Sequence, residues 1–402
     1  MYHINYEFVT FRKVEPLMIR LPIKKLKSGM IIAQSIYNRR GASYLVKGQP
    51  ITKEYIDRLA KIGIPQVAVT STNPNFKLQP PEDVVQEKTR IRAIETVYTA
   101  YKSVTESGRL DAAALQSVSD GLILDLIERR ENLVQLTDIR MHDTYTFAHS
   151  VNVAILSAMI GLHSNFSQQD LQLLTLGAML HDIGKIDTPT DLLNKASRLN
   201  DAEYATIKQH PGNGALRIME MKDQIPKASV LASVAAEHHE HIDGNGYPRG
   251  LKEKEIHRFA KIVAIADVYD ALTSERPYKR AYTPNVAYNI MVNVTQGQFD
   301  PVLLQRFFNN VALYPVGTVL KTIYGYAIVS HCEFGQTQTP TIIAFADLEG
   351  HRLKEPRKID LASTAEGSRA IEIVISDSEL RHFIHELDLD PSMYLLEDNA
   401  SA

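Results

Sequence analysis

The sequence predicts a mainly α-helical protein with a small α/β unit before the helical region and a small β module after it. Along two long segments before residue 136, apolar residues recur at spacings of three and four, the period of a helix that buries one face. From residue 143 to 313 the pattern stays helical almost throughout, and after Pro315 it changes to the short runs typical of strands. At 402 residues the chain is too long for one ordinary domain.

The first predicted unit, residues 1–80, combines short strands with one helix. Strands are expected at 30–36, 44–46 and 66–69. Thr52 is positioned to cap a short helix that runs to residue 61 and stops at Gly63. Residues 71–81 contain three prolines and are expected to be a linker.

Two connecting helices are predicted over residues 81–136. The apolar stripe of the first comprises Ile91, Ile94, Tyr98 and Tyr101, and that of the second, over 112–136, comprises Leu115, Val118, Leu122 and Leu126. Either stripe can pack within the chain or against a second copy. Packing within the chain is favoured, because a coiled coil needs longer sustained heptads. For the whole protein, a homodimer through this segment is slightly favoured.

The remaining segments follow from the change at Pro315. Residues 137–313 are predicted to form a helical domain with loops at 185–200 and 241–257. Residues 314–390 are predicted to form a β-rich module, with strands at 316–321, 326–330 and 341–346 and a turn at Gly325. The tail, residues 391–402, is expected to be disordered.

Composition excludes several classes of function. The net charge of −3 provides no basic field for a nucleic-acid polymer, so an anionic ligand needs local cations or metal. Cys332 is the only cysteine, which excludes an internal disulfide framework and cysteine-based zinc sites. No signal peptide and no apolar run of 18 residues is found, so we expect no membrane span and a cytoplasmic location.

Histidines are concentrated in the helical region. Nine of the 14 lie between residues 142 and 257, and imidazole with carboxylate is the ligand chemistry of a borderline or hard divalent metal. His181–Asp182 and His238–His239 each end an apolar helix, where two neighbouring side chains can turn toward one point and a carboxylate can bridge two cations. With three single residues, the candidate ligands are His149, His181, Asp182, His210, His238, His239 and Asp267.

Each single residue also has a structural explanation. A lone histidine such as His149 or His210 is more often a satisfied structural side chain, and Asp267 could face solvent. His210, just before Pro211, is placed at the end of a helix that begins near Asp201. The pair His142–Asp143 is interpreted as a helix cap. Seven ligands from five separate segments, one of them able to bridge, suit two metals with open positions.

At these residues the sequence resembles the HD-GYP family, a group of HD metal-dependent phosphohydrolases, over roughly residues 125–312. The matching segments are HDTYTFAHS (142–150), LHDIGKI (180–186), LLNKASRLNDAEYATIKQHPGNG (192–214), HHEHIDGNGYPRGL (238–251) and IVAIADVYDALTSERPYKRA (262–281). The resemblance implies an HD-type helical bundle in which the seven candidates bind metal and Asp182 bridges. It implies phosphate contacts from Lys185, Arg276 and Lys279, and it places Tyr247 in the family's name-giving loop, beside the substrate.

The resemblance also implies an activity. Family members mostly hydrolyse cyclic di-GMP to linear pGpG and sometimes to GMP, with iron or manganese. A hydroxide between two metals would attack phosphorus, with Asp182 and Lys185 as the catalytic residues. Some members recruit a third metal through a glutamate four residues before the first histidine; that position is Tyr145 here, so two metals are favoured.

Three alternatives stay open. One is a sensor that binds cyclic di-GMP with slow or no turnover and signals through its outer domains. Another is an HD phosphohydrolase for nucleotide monoesters or triphosphates, against which the GNGYP and RPYK segments weigh. The third is a scaffold that binds diguanylate cyclases through the loop with Tyr247, which is compatible with catalysis. The metal, the final product and the preferred cyclic dinucleotide are not specified by the sequence, because histidine and aspartate suit iron, manganese and zinc alike.

Overall fold

The structure is a computed structural model, and its helices and strands agree with a mainly α-helical protein that carries a small antiparallel sheet. It describes residues 18–23, 26–33, 36–37, 43–45, 49–61, 66–70, 84–130, 132–133, 145–193, 195, 197, 199–274, 281–375 and 379. The predicted linker over 71–81 and the predicted tail over 391–402 lie outside these residues.

The N-terminal unit consists of two small antiparallel pairs and one helix. Its elements are β1 (Met18–Pro22), β2 (Ile36–Tyr37), β3 (Ser43–Leu45), α1 (Lys53–Lys61) and β4 (Gln66–Thr70). Strand β1 pairs with β4, and β2 pairs with β3. As predicted, Thr52 precedes α1, and its hydroxyl accepts a hydrogen bond from the Tyr55 N–H at 3.3 Å.

The strand predicted over 30–36 is only partly correct. Ile31 bridges to Pro50 and Ile32 to Val69, whereas continuous pairing begins at Ile36. This segment therefore contacts two neighbours in turn and forms no single ladder.

Twelve α-helices among the described residues build the molecule, eleven of them after α1. They are α2 (Glu87–Ser107), α3 (Ala112–Glu128), α4 (Tyr145–His163), α5 (Gln168–Leu180), α6 (Thr190–Leu193), α7 (Asp201–Ile207), α8 (His210–Glu220), α9 (Ala228–Glu237), α10 (Arg258–Thr273), α11 (Pro284–Asn289) and α12 (Pro301–Phe308). A 3-10 turn at Ile183–Asp187 follows α5, and a π-helical turn at Ile290–Val294 follows α11.

The helices α2 and α3 pack into the same core as the helices that follow them. Ile94 and Tyr101 from α2, and Leu115 and Leu122 from α3, belong to one buried cluster with residues of α4, α5, α9, α10 and α12. Both apolar stripes are therefore used within the chain, and a second copy would have to bind other residues of this segment.

Two helix ends differ from the prediction. Helix α3 ends at Glu128 and does not continue to residue 136, because the chain turns there and the Asn132 N–H donates to the Arg129 carbonyl. The helix from Asp201 ends at Ile207, so His210 is the first residue of a new helix, not the end of the old one. Pro211 fits that first turn because its missing N–H would have no partner there.

The C-terminal module is a five-stranded antiparallel sheet of order β8-β7-β6-β5-β9. Its strands are β5 (Val319–Thr322), β6 (Gly325–His331), β7 (Thr341–Ala346), β8 (Arg352–Asp360) and β9 (Ile371–Val374). Sequence reasoning anticipated the three central strands and missed both edge strands. Strand β8 escapes detection because it is mostly exposed and rich in lysine, arginine and glutamate, residues that are common on protected edges and weak as strand signals.

Among the described residues, three hydrogen bonds join this module to the helical region, one of them from the Gln338 amide to the Tyr288 hydroxyl at 3.2 Å. The Thr337 hydroxyl donates to the Phe308 carbonyl at 2.8 Å, and the Gly335 N–H donates to the Asn309 carbonyl at 3.1 Å. Within the part of the chain that the structure describes, no helix combines the length and apolar character needed to cross a bilayer.

Candidate metal centre

Five segments of the helical region bring the seven predicted ligands to one place. Helix α4 supplies His149, α8 supplies His210, and α10 supplies Asp267. His181 and Asp182 follow the last residue of α5, and His238 and His239 follow the last residue of α9. All seven are buried except His239, whose side chain is 22% exposed. The centre therefore lies inside the helix packing, with one side near solvent.

Asp182 lies between two groups of imidazoles. Its Oδ1 is 3.3 Å from Nε2 of His210 and 3.8 Å from Nε2 of His238. Its Oδ2 is 3.4 Å from Nε2 of His181 and 3.8 Å from Nε2 of His149. One carboxylate thus directs each oxygen to a different pair of histidines, which is the arrangement of a bridging ligand.

Asp267 approaches the same groups from α10. Its Oδ1 is 3.1 Å from Nε2 of His149, and its Oδ2 is 3.9 Å from Nδ1 of His239. Candidate ligand atoms lie within 4.8 Å of one another in His149, His181 and Asp182, in His210, His238 and His239, and in His181, His238 and Asp267. The third group shares His181 with the first and His238 with the second, so all seven candidates converge on one place.

Hydrogen bonds at Nδ1 orient three of the histidine rings. The Nδ1 atoms of His181, His210 and His238 lie 2.7, 2.7 and 2.9 Å from the carbonyl oxygens three residues earlier in the chain. A carbonyl can only accept, so each Nδ1 carries the proton and each Nε2 presents a lone pair to the centre. The local helical backbone therefore selects the tautomer that binds metal.

Two atoms at the middle of the cluster are buried without hydrogen-bond partners. Among the described residues, these include Nε2 of His181 and Oδ1 of Asp182. Buried polar atoms are nearly always paired, so two buried acceptors without partners at this point suit a bound cation. Imidazole nitrogen and carboxylate oxygen suit a divalent metal such as iron or manganese. The residues present therefore fit the metal that the sequence predicts.

Burial and neighbouring charges place four of the candidate ligands in metal-binding protonation states. Burial and the adjacent His239 hold the pKa of His238 well below its usual value, and burial lowers the pKa of His239 to about 3. Burial opposes ionisation of Asp182 and Asp267, yet Lys185 and His181 lower the pKa of Asp182 well below the usual range, and the hydrogen bond to His149 does so for Asp267.

His149 differs from the other ligands. Burial acts to lower its pKa, but the hydrogen bonds to Asp267 and Asp270 dominate and raise the pKa to about 9. In the metal-free protein this ring is protonated at neutral pH, so a metal that binds its Nε2 must displace a proton.

The predicted substrate contacts lie beside this centre where the structure describes them. Lys185 places its Nζ 2.5 Å from Oδ2 of Asp182 and is 27% exposed. The Tyr247 ring stacks on His239, with ring centroids 4.7 Å apart and an interplanar angle of 22°. The Nζ of Lys208 lies over the Tyr247 ring, 4.8 Å from its centroid. Arg276 and Lys279 lie outside the described residues.

Sequence reasoning missed the residues that support the ligands. Asp270 lies 2.7 Å from Nδ1 of His149, and Asn152 donates to the other oxygen of Asp270 at 2.9 Å. Both follow a ligand by three residues on the same helix face, a spacing that could have identified them. Glu240, 3% exposed, accepts from the N–H groups of Arg249 and Leu251 at 2.7 and 2.9 Å and so holds the loop that carries Tyr247.

Comparisons with known proteins agree with this arrangement. The model of the HD domain family matches residues 125–303. The cyclic di-GMP phosphodiesterase PA4108 of Pseudomonas aeruginosa is 26% identical over 88% of this chain and 92% of its own length.

Two further relatives match less than half of this chain. The 3'3'-cGAMP-specific phosphodiesterase 1 of Vibrio cholerae is 36% identical over 42% of this chain and 39% of its own. A cyclic di-GMP phosphodiesterase of Thermotoga maritima is 36% identical over 45% of this chain and 48% of its own, so this chain covers less than half of either relative. Residues 125–303, which match the HD domain family, contain all seven candidate ligands, so the segment that forms the candidate metal centre is the one that is similar to that family.

Proposed function

We propose that this chain is a metal-dependent phosphodiesterase that hydrolyses cyclic di-GMP to the linear dinucleotide pGpG. The observation that carries the proposal is the position of Asp182, whose two oxygens face two separate pairs of histidines. Support for the substrate comes from the relatives, of which the one that matches nearly the full length is named for cyclic di-GMP.

Two divalent ions, iron or manganese, are the proposed cofactors. His149, His181, Asp182 and Asp267 would hold one, and Asp182, His210, His238 and His239 the other, in keeping with the distances of the two Asp182 oxygens and of the Asp267 Oδ1 to these histidines. When bound, such a pair supplies Lewis acidity toward a phosphate and lowers the pKa of water.

The chain's own side chains would bind and orient the substrate. Lys185 places a cation at the edge of the ligand cluster, where it can donate to an oxygen of the scissile phosphate. The Tyr247 ring stacks on His239 and would contact the substrate beside the metal centre. Arg276 and Lys279 are proposed, from the motif alone, to hold the second phosphate, with a planar fork and a point charge suited to different oxygens.

The loop with Tyr247 is also the proposed contact for a diguanylate cyclase. The exposed residues of this loop include Asp243, Asn245 and Pro248. The buried Glu240 holds the loop backbone by accepting from the N–H groups of Arg249 and Leu251. Pull-down of purified cyclase by the wild-type chain and by Asn245→Arg protein tests this contact; equal capture would contradict it.

Hydrolysis is tested by incubating Mn²⁺-loaded protein, or protein loaded anaerobically with Fe²⁺, with cyclic di-GMP, 3'3'-cGAMP and cyclic di-AMP. We expect linear pGpG from cyclic di-GMP and its loss on addition of chelator. If the protein prefers 3'3'-cGAMP, the proposed substrate is wrong but the proposed hydrolysis of a cyclic dinucleotide stands, since relatives named for both compounds are similar to this chain. Tight binding of cyclic di-GMP without any linear product would instead support the sensor.

A further inference from the structure

Helix α2 reaches the candidate ligand His149 through a line of side-chain hydrogen bonds. Arg90 of α2 donates from Nη1 to Oδ1 of Asn152 on α4 at 2.9 Å. Asn152 donates from Nδ2 to Oδ1 of Asp270 on α10 at 2.9 Å, and Oδ2 of Asp270 lies 2.7 Å from Nδ1 of His149. Arg90, Asp270 and His149 are 2%, 1% and 4% exposed. Three helices thus meet in a buried polar line that ends at the centre.

The middle members of this line have definite orientations. The amide of Asn152 uses its oxygen to accept from Arg90 and its nitrogen to donate to Asp270, so a flipped amide would break both bonds. Both oxygens of Asp270 are used, one by Asn152 and one by His149. Arg90, Asp270 and His149 are buried and Asn152 is half-buried, so a broken bond in this line would leave a buried polar group without its partner, which is costly.

His149 is oriented by a different device from that of its neighbours. His181, His210 and His238 each use a carbonyl three residues earlier, which the local backbone supplies whatever the distant helices do. The Nδ1 partner of His149 is a side chain 121 residues away. The direction of its Nε2 therefore depends on how α2, α4 and α10 pack.

Helix α2 touches the centre's surroundings at further points. The Tyr101 hydroxyl donates to the Met179 carbonyl at 3.1 Å, two residues before His181. The rings of Tyr98 and Tyr101 lie edge-on to Phe147, two residues before His149, at centroid distances of 5.2 and 5.5 Å. A shift of α2 would therefore disturb both segments that carry these two ligands.

We propose that Arg90 and Asn152 are positioning residues that act on His149 through Asp270, so that the packing of α2 sets the affinity of the metal position that contains His149. This inference rests on the proposed two-metal centre. It also assigns a role to the segment between the N-terminal unit and the helical domain. A displacement of α2 would weaken one metal position and leave the position formed by His210, His238 and His239 in place.

The test is Mn²⁺ binding to the full-length chain, measured by equilibrium dialysis with metal analysis across a range of free Mn²⁺. Wild-type protein is expected to bind two ions. Arg90→Met should weaken one of the two sites about 10-fold and Asp270→Ala about 10- to 100-fold, the usual effect of removing an outer partner of a ligand. Arg92→Met, on an exposed position of the same helix, is the matched control and should change neither affinity.

A double variant distinguishes an effect that passes along the proposed line of hydrogen bonds from a general loss of helix packing. In the double variant Arg90→Met/Asp270→Ala, loss of Mn²⁺ affinity should equal that of Asp270→Ala alone, because Arg90 acts only through Asp270. Should Arg90→Met fail to fold, Asn152→Leu breaks the same line one step nearer the ligand and should weaken the same single site.

Several results would overturn the inference. They are unchanged affinities in Arg90→Met and Asn152→Leu, equal weakening of both sites, or fully additive losses in the double variant. The proposed function fails separately: a wild-type chain that binds two Mn²⁺ but cleaves no cyclic dinucleotide refutes the activity and leaves the positioning line standing.

Discussion

Asp182 is the residue on which both candidate metal positions depend. It is 1% exposed and directs its oxygens to histidines from four different helices or helix ends. A buried carboxylate needs strong positive partners to stay ionised, and in the metal-free chain Lys185 provides one at 2.5 Å. A bound cation would take over that role. The same carboxylate therefore forms a buried ion pair in the metal-free chain and is the proposed ligand of both metal ions.

Asp182→Asn should lose both metal ions and all turnover. The amide keeps the shape but removes the charge and replaces one acceptor oxygen by a donor, so neither histidine group retains its shared ligand. Metal analysis of protein purified with excess Mn²⁺ and an assay for linear product measure the two losses. Asp191→Asn, at an exposed position of α6, should keep two ions; full metal content in Asp182→Asn would contradict the assignment.

Lys185→Met should reduce kcat/KM while leaving metal content intact. Loss of one charge-assisted hydrogen bond costs about 1.5–3 kcal/mol, which is a decrease of roughly 10- to 150-fold. Steady-state kinetics on cyclic di-GMP with parallel metal analysis test this. The exposed Lys222→Met is the control. Unchanged kinetics would remove Lys185 from the proposed substrate contacts.

At the scale of elements, helix ends and close contacts between backbones create the site. His181, His238 and His239 stand where a helix stops, so their side chains leave the helix surface at angles that a helix interior does not allow. The 3-10 turn after Asp182 lies directly against helix α8. A Cβ atom at Gly184 would come within 2.1 Å of the His210 carbonyl oxygen and 2.4 Å of the Gly214 nitrogen. Only glycine permits this approach.

Gly184→Ala should separate the 3-10 turn from α8 and thereby move His210 away from Asp182. The contact is with backbone, so no side chain can rotate to make room. We expect lower thermal stability and loss of the metal position that includes His210, measured by calorimetry and metal analysis. Gly212→Ala, on α8 with nothing within 4 Å of the new Cβ, should behave as wild type. Equal behaviour of the two variants would show that α8 is not held this closely.

At the scale of the whole molecule, buried apolar residues in the described part of the chain form one large core and two small ones. The large core joins α2 and α3 to the helices of the metal centre. The small cores lie in the N-terminal unit and in the β module. The two ends of the chain therefore have their own cores, while the central helices share one.

Cys332 in the β module should react slowly in the folded protein. Burial raises the pKa of its thiol to about 12, against about 8.5 for a free cysteine. At pH 8 the thiolate fraction, and with it the reaction rate toward a disulfide reagent such as DTNB, should be at least about 1000-fold below that of unfolded chain. Because the pKa is raised, the native rate should climb about tenfold per pH unit up to pH 10. A native rate at pH 8 within a few fold of the unfolded rate would refute this.

Much of the fold could be read from local patterns, because burial of one helix face or one strand face leaves a period in the sequence. Helical structure at His149, His181 and Asp267 was predicted from the pattern over residues 143–313, and each of these residues lies on or at the end of a helix. The error at His210 arose because a helix that stops and restarts near a proline has nearly the same residue pattern as one helix. The edge strand β8 was missed because its exposed charges reflect its position in the sheet, which no local pattern encodes.

Sequence alone identified the candidate ligands, the helical region that carries them and the resemblance to the HD-GYP family, since these depend on residue identity and local periodicity. Tertiary structure was needed to show which oxygen of Asp182 faces which imidazole and that Asp270, Asn152 and Arg90 stand behind His149. The physical reason is range: a helix is stabilised by neighbours three and four residues apart, whereas a metal centre requires side chains from distant helices to converge within a few ångströms.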